Sequence, residues 1–460
     1  MKTIMKKENN VVDNLLGQMR FEAAAIFNSA VAAVNPQKAV KRFVRSDGSK
    51  LILGCSQADT VTLDLNQYER IFLMGGGKAT AAMARAIEEL LGNRIHSGLI
   101  NVKYGFTQPL KFTRIVEAGH PLPDKNGVQG AAQILELIES ANADDLLFSL
   151  ISGGGSALLV KPCANITLAE KQELTRRLLA CGAGINEINT LRKHISAVKG
   201  GLMARTANPA TVVNLMLSDV VGDKTDVIAS GPFTPDCSTF EQALGILNKY
   251  SLDDIPESIK THLTAGLNGK IAETPKPGAA EFERVYHYII GSNSLALEAA
   301  REQAIRLGYN TLILSSMIEG ETKEVARAHS AIAKEIIKTG HPIAPPACII
   351  SGGETTVTLQ GRGRGGRNQE FCLAAALDIT ELPARVAILS GGTDGDDGPT
   401  DAAGAIVDPL TVKRGEAVNA PALRYLSDND AYSFFKKTGD LLMTGPTGTN
   451  VMDVRLMLVR

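Results

Sequence analysis

The chain has no long block of like charge: 48 basic and 49 acidic residues leave a formal net charge of −1. That excludes the electrostatic footprint of a nucleic-acid or anionic-membrane binder, so any preference for phosphate must be local. Cysteine is sparse. The six, at positions 55, 163, 181, 237, 348 and 372, include no Cys-x-x-Cys pair and no regular spacing, which argues for reduced thiols rather than a disulfide framework. Long apolar runs are missing too: Glu8 and Asp13 interrupt the start before any stretch long enough for a signal peptide, and nothing reads as a transmembrane segment. A cytoplasmic protein is expected. What is present, 44% hydrophobic and 21% charged residues over 460 positions, belongs to a soluble globular protein of two or more domains.

An apolar run ending in Ser-Gly-Gly occurs at Leu150–Gly154, Ile350–Gly353 and Leu389–Gly392. Each reads as a buried parallel strand whose glycines let the backbone turn and present N–H groups at the strand's carboxyl end. Three such ends suggest one polar cleft suited to phosphate. Helical spacing from Val11 to about Ala33 predicts an opening helix with Phe21, Ala25, Ile26 and Ala32 inward. Short β-rich runs then alternate with alanine-rich helical ones, which predicts a parallel sheet covered by helices. The expected division is a first α/β domain over 1–255, a Pro- and Gly-bearing connection over 256–284 and a second α/β domain over 285–460.

Gly75-Gly76-Gly77-Lys78-Ala79-Thr80 follows a strand and opens a helix, so a phosphate would sit on the helix N-terminus beside Lys78. It is not a Walker A loop, because Phe72 stands where the first glycine belongs and Ala79 where Ser or Thr belongs. A tight turn with a solvent-facing lysine is the competing account. Ser152-Gly153-Gly154-Gly155-Ser156 offers donors and hydroxyls for a nucleotide phosphate or a carboxylate, or is only a turn. In Thr190–Gly201, Arg192, Ser196 and Lys199 share a face if the segment is helical. Asp219 and Asp223 follow one strand, and Asp394, Asp396 and Asp397 another, as oxygen ligands for Mg²⁺ or as turn formers; the second series lacks the EF-hand glutamate. Gly361 to Gly366 fits Gly-x-Gly-x-x-Gly after the β-rich Thr355–Leu359, the best argument for a nicotinamide cofactor. Three arginines at and beside that loop, at 362, 364 and 367, suit transferring phosphate better.

The runs GGGKA at 75–79, AGHPLPD at 118–124, SGGGSALL at 152–159, LSDVVGD at 217–223, SGGET at 351–355, GRGGRNQEF at 363–371, SGGTDGDDGPTDAAGA at 390–405 and TGPTGTNVMD at 444–453 resemble the class II glycerate kinases. The resemblance runs in order from about residue 14 to 455. It implies an N-terminal Rossmann-like α/β/α domain with a mainly parallel sheet, a C-terminal MOFRL-type α/β domain with a mixed sheet, and an active site in the cleft between them. It also implies ATP- and Mg²⁺-dependent phosphorylation of D-glycerate at its 2-hydroxyl, by a monomer or homodimer with no nucleic-acid or membrane partner. Some members are labelled hydroxypyruvate reductase, and an NAD(P)H-dependent reductase is the rival reading; a non-catalytic phosphometabolite binder is a third.

The roles that follow from the resemblance are these. Lys78 and Arg367 neutralise the transferring phosphoryl group, with Asp219 orienting the substrate hydroxyl. Arg192, Lys193, His120 and Ser218 contact the substrate, although a histidine in a Pro-rich turn is as often structural. Gly76, Gly77, Gly153, Gly154, Gly155, Ser156, Glu354 and Asn368 hold the nucleotide. Asp223 and Asp394 meet the metal, Glu354 being a further carboxylate for that task.

Overall fold

The computed structural model describes residues 2–55 and 60–460, with side chains from residue 14 onward. Two compact units emerge. One spans Pro36–Ile290; the other combines the segment ending at Asn35 with Gly291–Arg460.

In the first unit, β1 (Val44–Asp47), β2 (Lys50–Leu53) and β3 (Val61–Asp64) form a small antiparallel sheet. Its main sheet contains β4 (Arg70–Gly76), β5 (Ile95–Lys103), β6 (Thr113–Ala118), β7 (Asp145–Ile151), β8 (Thr211–Leu217) and β9 (Val285–Gly291) in the order β6-β5-β4-β7-β8-β9. Every pairing from β6 to β8 is parallel. The apolar runs of β4, β7 and β8 are buried along their length because helices cover both faces, which is why they read as continuous rather than alternating. One covering helix, Thr80–Leu91, buries Met83, Ala84, Ile87 and Leu91 at helical spacing. Another, Lys125–Glu139, is capped by Asp124, whose side chain accepts from the Gly127 N–H at 3.0 Å. Register sets Gly76 level with both Ile151 and Asn101, so the triple-glycine end of β4 lies beside the Ser-Gly-Gly end of β7.

The second unit has a mixed sheet of β10 (Asn310–Ser315), β11 (Ala347–Gly353), β12 (Val386–Gly392), β13 (Gly404–Val407), β14 (Leu441–Leu442) and β15 (Asp453–Val459), ordered β10-β11-β15-β12-β13-β14. Only β10 and β11 pair in parallel. Side chains alternate between two cores. On β15, Val454, Leu456 and Leu458 pack with the opening helix, Lys2–Ala33, and with the helix Asn293–Arg306; Met457 and Val459 pack with the helices Thr322–Thr339 and Arg367–Ile379. The expected parallel and mixed sheets are both present. No described helix is long and apolar enough to cross a membrane.

Three expectations change. The opening helix joins the second unit, so the compact units differ from the division at 1–255, 256–284 and 285–460; the supposed connection contains a helix, Glu257–Leu267, with Ile259 and Leu263 in the core, and β9 completes the first sheet. Order along the chain does not reveal which sheet a helix covers. The inward face of the opening helix is Met19, Ala23, Ile26, Phe27 and Ala30, of which Met19, Ile26 and Phe27 each contribute about 1.5–3 kcal/mol by burial, whereas Phe21 is 76% exposed and Ala32 is exposed. Val11, where the predicted helix began, lies within the helix but outside the described side chains. Finally, Thr355–Leu359 is not a strand: it makes only an isolated bridge from Thr356 to Glu321.

Candidate functional site

In the first unit the two glycine turns prove unequal. The N–H groups of Gly77, Lys78, Ala79 and Thr80 bond to Asn101 O, Gly153 O, Ser152 Oγ and Gly77 O, at 3.1, 2.9, 3.0 and 3.4 Å. Those donors therefore hold β4 to its neighbours, and the expected phosphate cradle at Gly76 and Gly77 is closed by the protein itself. A Cβ on Gly77, whose φ is +151°, would lie 2.1 Å from Ser152 Oγ, so only glycine permits that approach. In the second turn, by contrast, the N–H groups of Gly153, Gly154 and Ser156 find no acceptor among the described residues. Of the donors expected at Gly153–Ser156, those three are thus available to an anion, whereas the N–H of Gly155 bonds to Ser152 O at 3.1 Å.

Lys78 and His120 flank this second turn. A Cβ on Gly154 would stand 2.8 Å from His120 Cδ2 and 3.5 Å from Lys78 Cγ. Burial, with the charges of Lys78 and Lys103, pulls His120 down to about 4, so near pH 7 its imidazole is neutral beside a cationic lysine. Ser156 Oγ meets Ser230 Oγ at 3.1 Å, and Ser230 Oγ donates to Asn189 Oδ1 at 3.2 Å. Ala229 and Ser230 both have left-handed backbone, φ +51° and +61°, at a cost of roughly 1–2 kcal/mol per residue. Lys199 Nζ holds that bend by donating to Ala229 O at 3.1 Å. The sequence reading passed over this segment, although Ala229-Ser230-Gly231-Pro232 carries a turn signal in its Gly-Pro.

Other expected substrate contacts are redirected. Lys193 is buried, its ammonium 3.1 Å from Asp226 and 3.2 Å from Asp236, so its charge is committed inside the fold rather than to a ligand. The buried Ser218 hydroxyl closes its own turn, accepting from Val220 N–H at 3.3 Å. Arg192, Ser196 and Lys199 do not share a helix face, since the helix Ile185–His194 stops before Ser196, which bridges to Pro162. Arg192 is half-buried without an ion pair among the described residues. Asp219 and Asp223 are half-buried in the turn after β8.

In the second unit, β11 and β12 both end beside the start of β15: Gly353 and Gly392 are each in register with Asp453. Arg367, first in its helix, binds buried Asp453 through Nε–Oδ2 at 2.7 Å and Nη2–Oδ1 at 2.9 Å, and reaches Glu354 at 3.0 Å. These carboxylates hold its guanidinium firmly charged. Arg455, also buried, reaches Asp453 Oδ2 at 3.0 Å. Asn368, expected at the nucleotide, lies buried inside this network, donating to Asp453 Oδ1 at 2.9 Å and accepting from Ser390 Oγ at 2.6 Å. Asp394 is half-buried in the loop after β12. Sequence reading gave no role to Asp453, though it closes the 444–453 motif, nor a specific one to Asp397.

The Gly361–Gly366 loop loses its dinucleotide context. It follows no strand, and the N–H groups of Gly361, Arg362, Gly363 and Arg364 bond to Asn429 Oδ1, Asp428 Oδ1, Asp428 O and Asp430 Oδ1, at 2.9, 3.1, 2.8 and 3.0 Å. The N-terminus of the next helix is capped by Asp397, which accepts from the N–H of Asn368 at 3.1 Å and of Gln369 at 2.8 Å. A carboxylate where a pyrophosphate would rest disfavours that ligand. Burial and the neighbouring Asp453 push this carboxyl up to about 7 against the pull of those N–H donors.

A family model described as a domain of unknown function, DUF4147, matches residues 22–264, and the MOFRL family matches residues 347–453. The D-glycerate 2-kinase of Thermotoga maritima is 41% identical over 95% of this chain and 97% of that protein. The crystal structure of glycerate kinase from the same organism matches with a TM-score of 0.86 over 96% of this chain and all of that one. The glycerate 2-kinase of Pyrococcus horikoshii is 40% identical over 94% of this chain and 96% of its own length, and a putative hydroxypyruvate reductase of Agrobacterium vitis is 41% identical over 94% and 93%. Fold and sites define an α/β protein of two units, with donors for anions at its strand ends. The chain belongs to the class II glycerate kinase family.

Proposed function

We propose that this protein transfers the γ-phosphoryl group of ATP to the 2-hydroxyl of D-glycerate, giving 2-phosphoglycerate and ADP. The observation that carries this reading is the Gly153–Ser156 turn, which offers unbonded N–H groups with Lys78 beside them, in a chain similar over more than nine-tenths of its length to proteins named glycerate 2-kinase. Phosphoryl transfer depends on positioning and charge stabilisation, and backbone donors held in a tight turn provide both. In this reading Lys78 and Arg367 neutralise charge on the transferring group. Asp453 and Glu354 fix the guanidinium of Arg367 while leaving two of its five N–H donors for a ligand. Asp219 orients the acceptor hydroxyl.

The half-buried carboxylates of Asp223 and Asp394 suit Mg²⁺ chemically: it prefers hard oxygen donors and needs only one or two from protein when phosphates supply others. No group of three or more His, Cys, Asp and Glu is arranged for a metal among the described residues, which that economy of ligands accommodates. Each of the two is proposed as a single ligand. When bound, the ion neutralises phosphate charge. With all six cysteines unpaired, the cytoplasm is the proposed compartment.

The test is incubation of purified protein with D-glycerate, ATP and Mg²⁺, following ADP and identifying the product by phosphorus NMR. Phosphate on the second carbon is expected; phosphate on the third would overturn the regiochemistry. A parallel trial with hydroxypyruvate and NADH or NADPH addresses the activity named for the Agrobacterium relative. The occupied N–H groups of the Gly361 loop predict no oxidation of the nicotinamide.

A further inference from the structure

Lys171, in the helix Leu168–Ala180, is 5% exposed, and its Nζ has no hydrogen-bond partner among the described residues. A buried ammonium without a partner is strongly unfavourable unless an anion arrives to meet it. Lys199 is fully buried, and the carbonyl of Ala229 is its one acceptor among the described residues. Arg192 is half-buried, with neither hydrogen bond nor ion pair among the described residues. Asn189 lies one turn before Arg192 on the same side of the helix Ile185–His194 and accepts from Ser230, which in turn meets Ser156 in the Gly153–Ser156 turn.

The three cations act on one another. Burial, with the charge of Arg192, pulls Lys171 down to about 8, and Lys171 and Arg192 add to the burial that lowers Lys199. No carboxylate is among the groups acting on either lysine. Nearby acids are engaged elsewhere: Asp226 and Asp236 with Lys193, Glu170 with Thr167 and Ser258, and Glu173 with Arg176 and Arg177.

We propose that Lys171, Arg192 and Lys199 form the pocket that holds the carboxylate of the substrate, which makes Lys171 and Lys199 specificity-determining residues. This rests on the kinase reading above. A carboxylate suits three cations better than a nucleotide phosphate does, because phosphates arrive with Mg²⁺, whose positive charge would add to that of the cluster. The 2-hydroxyl sits on the carbon next to the carboxylate, so anchoring the acid here presents that hydroxyl to the neighbouring Gly153–Ser156 turn, with the 3-hydroxyl one carbon further away. Three-carbon 2-hydroxy acids are therefore substrates and glycerol, which lacks the anion, is not.

The experiment is calorimetric titration of the full-length protein and its Lys171→Met variant with D-glycerate, with glycerol and separately with ATP and Mg²⁺, alongside thermal unfolding. Met replaces a buried charge with an apolar group of similar length, so the unliganded variant should melt at or above the parent temperature. Its affinity for D-glycerate should fall at least about tenfold, as expected for loss of a charge-assisted hydrogen bond, while ATP affinity holds. Lys199→Met should lose D-glycerate affinity as well. D-glycerate binding within twofold of the parent, or weakened ATP binding with D-glycerate unaffected, would overturn the pocket. Binding of D-glycerate that depends on Lys171 in a protein that yields no ADP would uphold the pocket and remove the kinase reading.

Discussion

Arg367 and Asp453 form a bidentate pair, at 2.7 and 2.9 Å, that ties the first residue of a helix to the first residue of β15. The same carboxylate meets Arg455, which is 1% exposed. Asp453→Ala leaves the guanidinium of Arg455 buried without that partner, and should cost about 3–5 kcal/mol, measured as a lowered urea midpoint. An unchanged midpoint would show that the pair does not anchor this sheet.

Removing either cation proposed to act on the phosphoryl group should lower turnover far more than substrate binding. Lys78→Ala and Arg367→Ala are each expected to reduce kcat by about 10³, with smaller changes in KM. Steady-state kinetics with D-glycerate decide the point: a variant retaining activity within about tenfold of the parent loses the role assigned to its residue.

Gly154 has φ +83° and lies against His120 and Lys78. Gly154→Ala adds strain of roughly 1–2 kcal/mol and pushes a methyl group onto the imidazole. Both Tm and activity should fall, whereas Gly182→Ala, at φ +75° with open space around it, should lower Tm alone.

His287 and His329 are both pulled down by burial to about 4. Between pH 6.5 and pH 4 the unfolded chain binds protons that these folded imidazoles refuse, so stability should fall as pH drops through that window. His329 is 4% exposed and bonded to Ser351 at 2.8 Å; His329→Gln should flatten part of the acid limb in urea titrations. An identical limb in the variant removes His329 from the explanation.

Lys171 gives the opposite limb. Its folded value of about 8 lies below that of an unfolded lysine, so the penalty for burying its charge is fully present below pH 8 and is relieved as pH rises toward about 10.4. Arg192, Lys199 and Cys163 surround it. Over that window the parent should gain up to about 3 kcal/mol relative to Lys171→Met, read from the difference between their unfolding curves.

The strands and the chemistry at their ends are legible in the order of residues alone. Ile71–Met74, Leu146–Ile151 and Thr211–Leu217 read as buried parallel strands because their apolar runs are unbroken, and the glycines after them could only be turns. Lys78, His120, Arg192 and Arg367 were legible as candidates from residue type and motif. Tertiary structure alone decided which donors are available. Two glycine turns alike in sequence differ because Asn101, Gly153 and Ser152 occupy N–H groups of one, while in the other the N–H groups of Gly153, Gly154 and Ser156 meet no described acceptor and only that of Gly155 is bonded, to Ser152 O. Lys193 and Lys199, six residues apart, could not be ranked locally: one is neutralised by Asp226 and Asp236, while the other is buried under the influence of Lys171 and Arg192, cations from two different helices. The opening helix crosses to the second unit for a similar reason, since its apolar face matches Ala296, Leu297 and Ala300, a partner nearly three hundred residues away that no local pattern names.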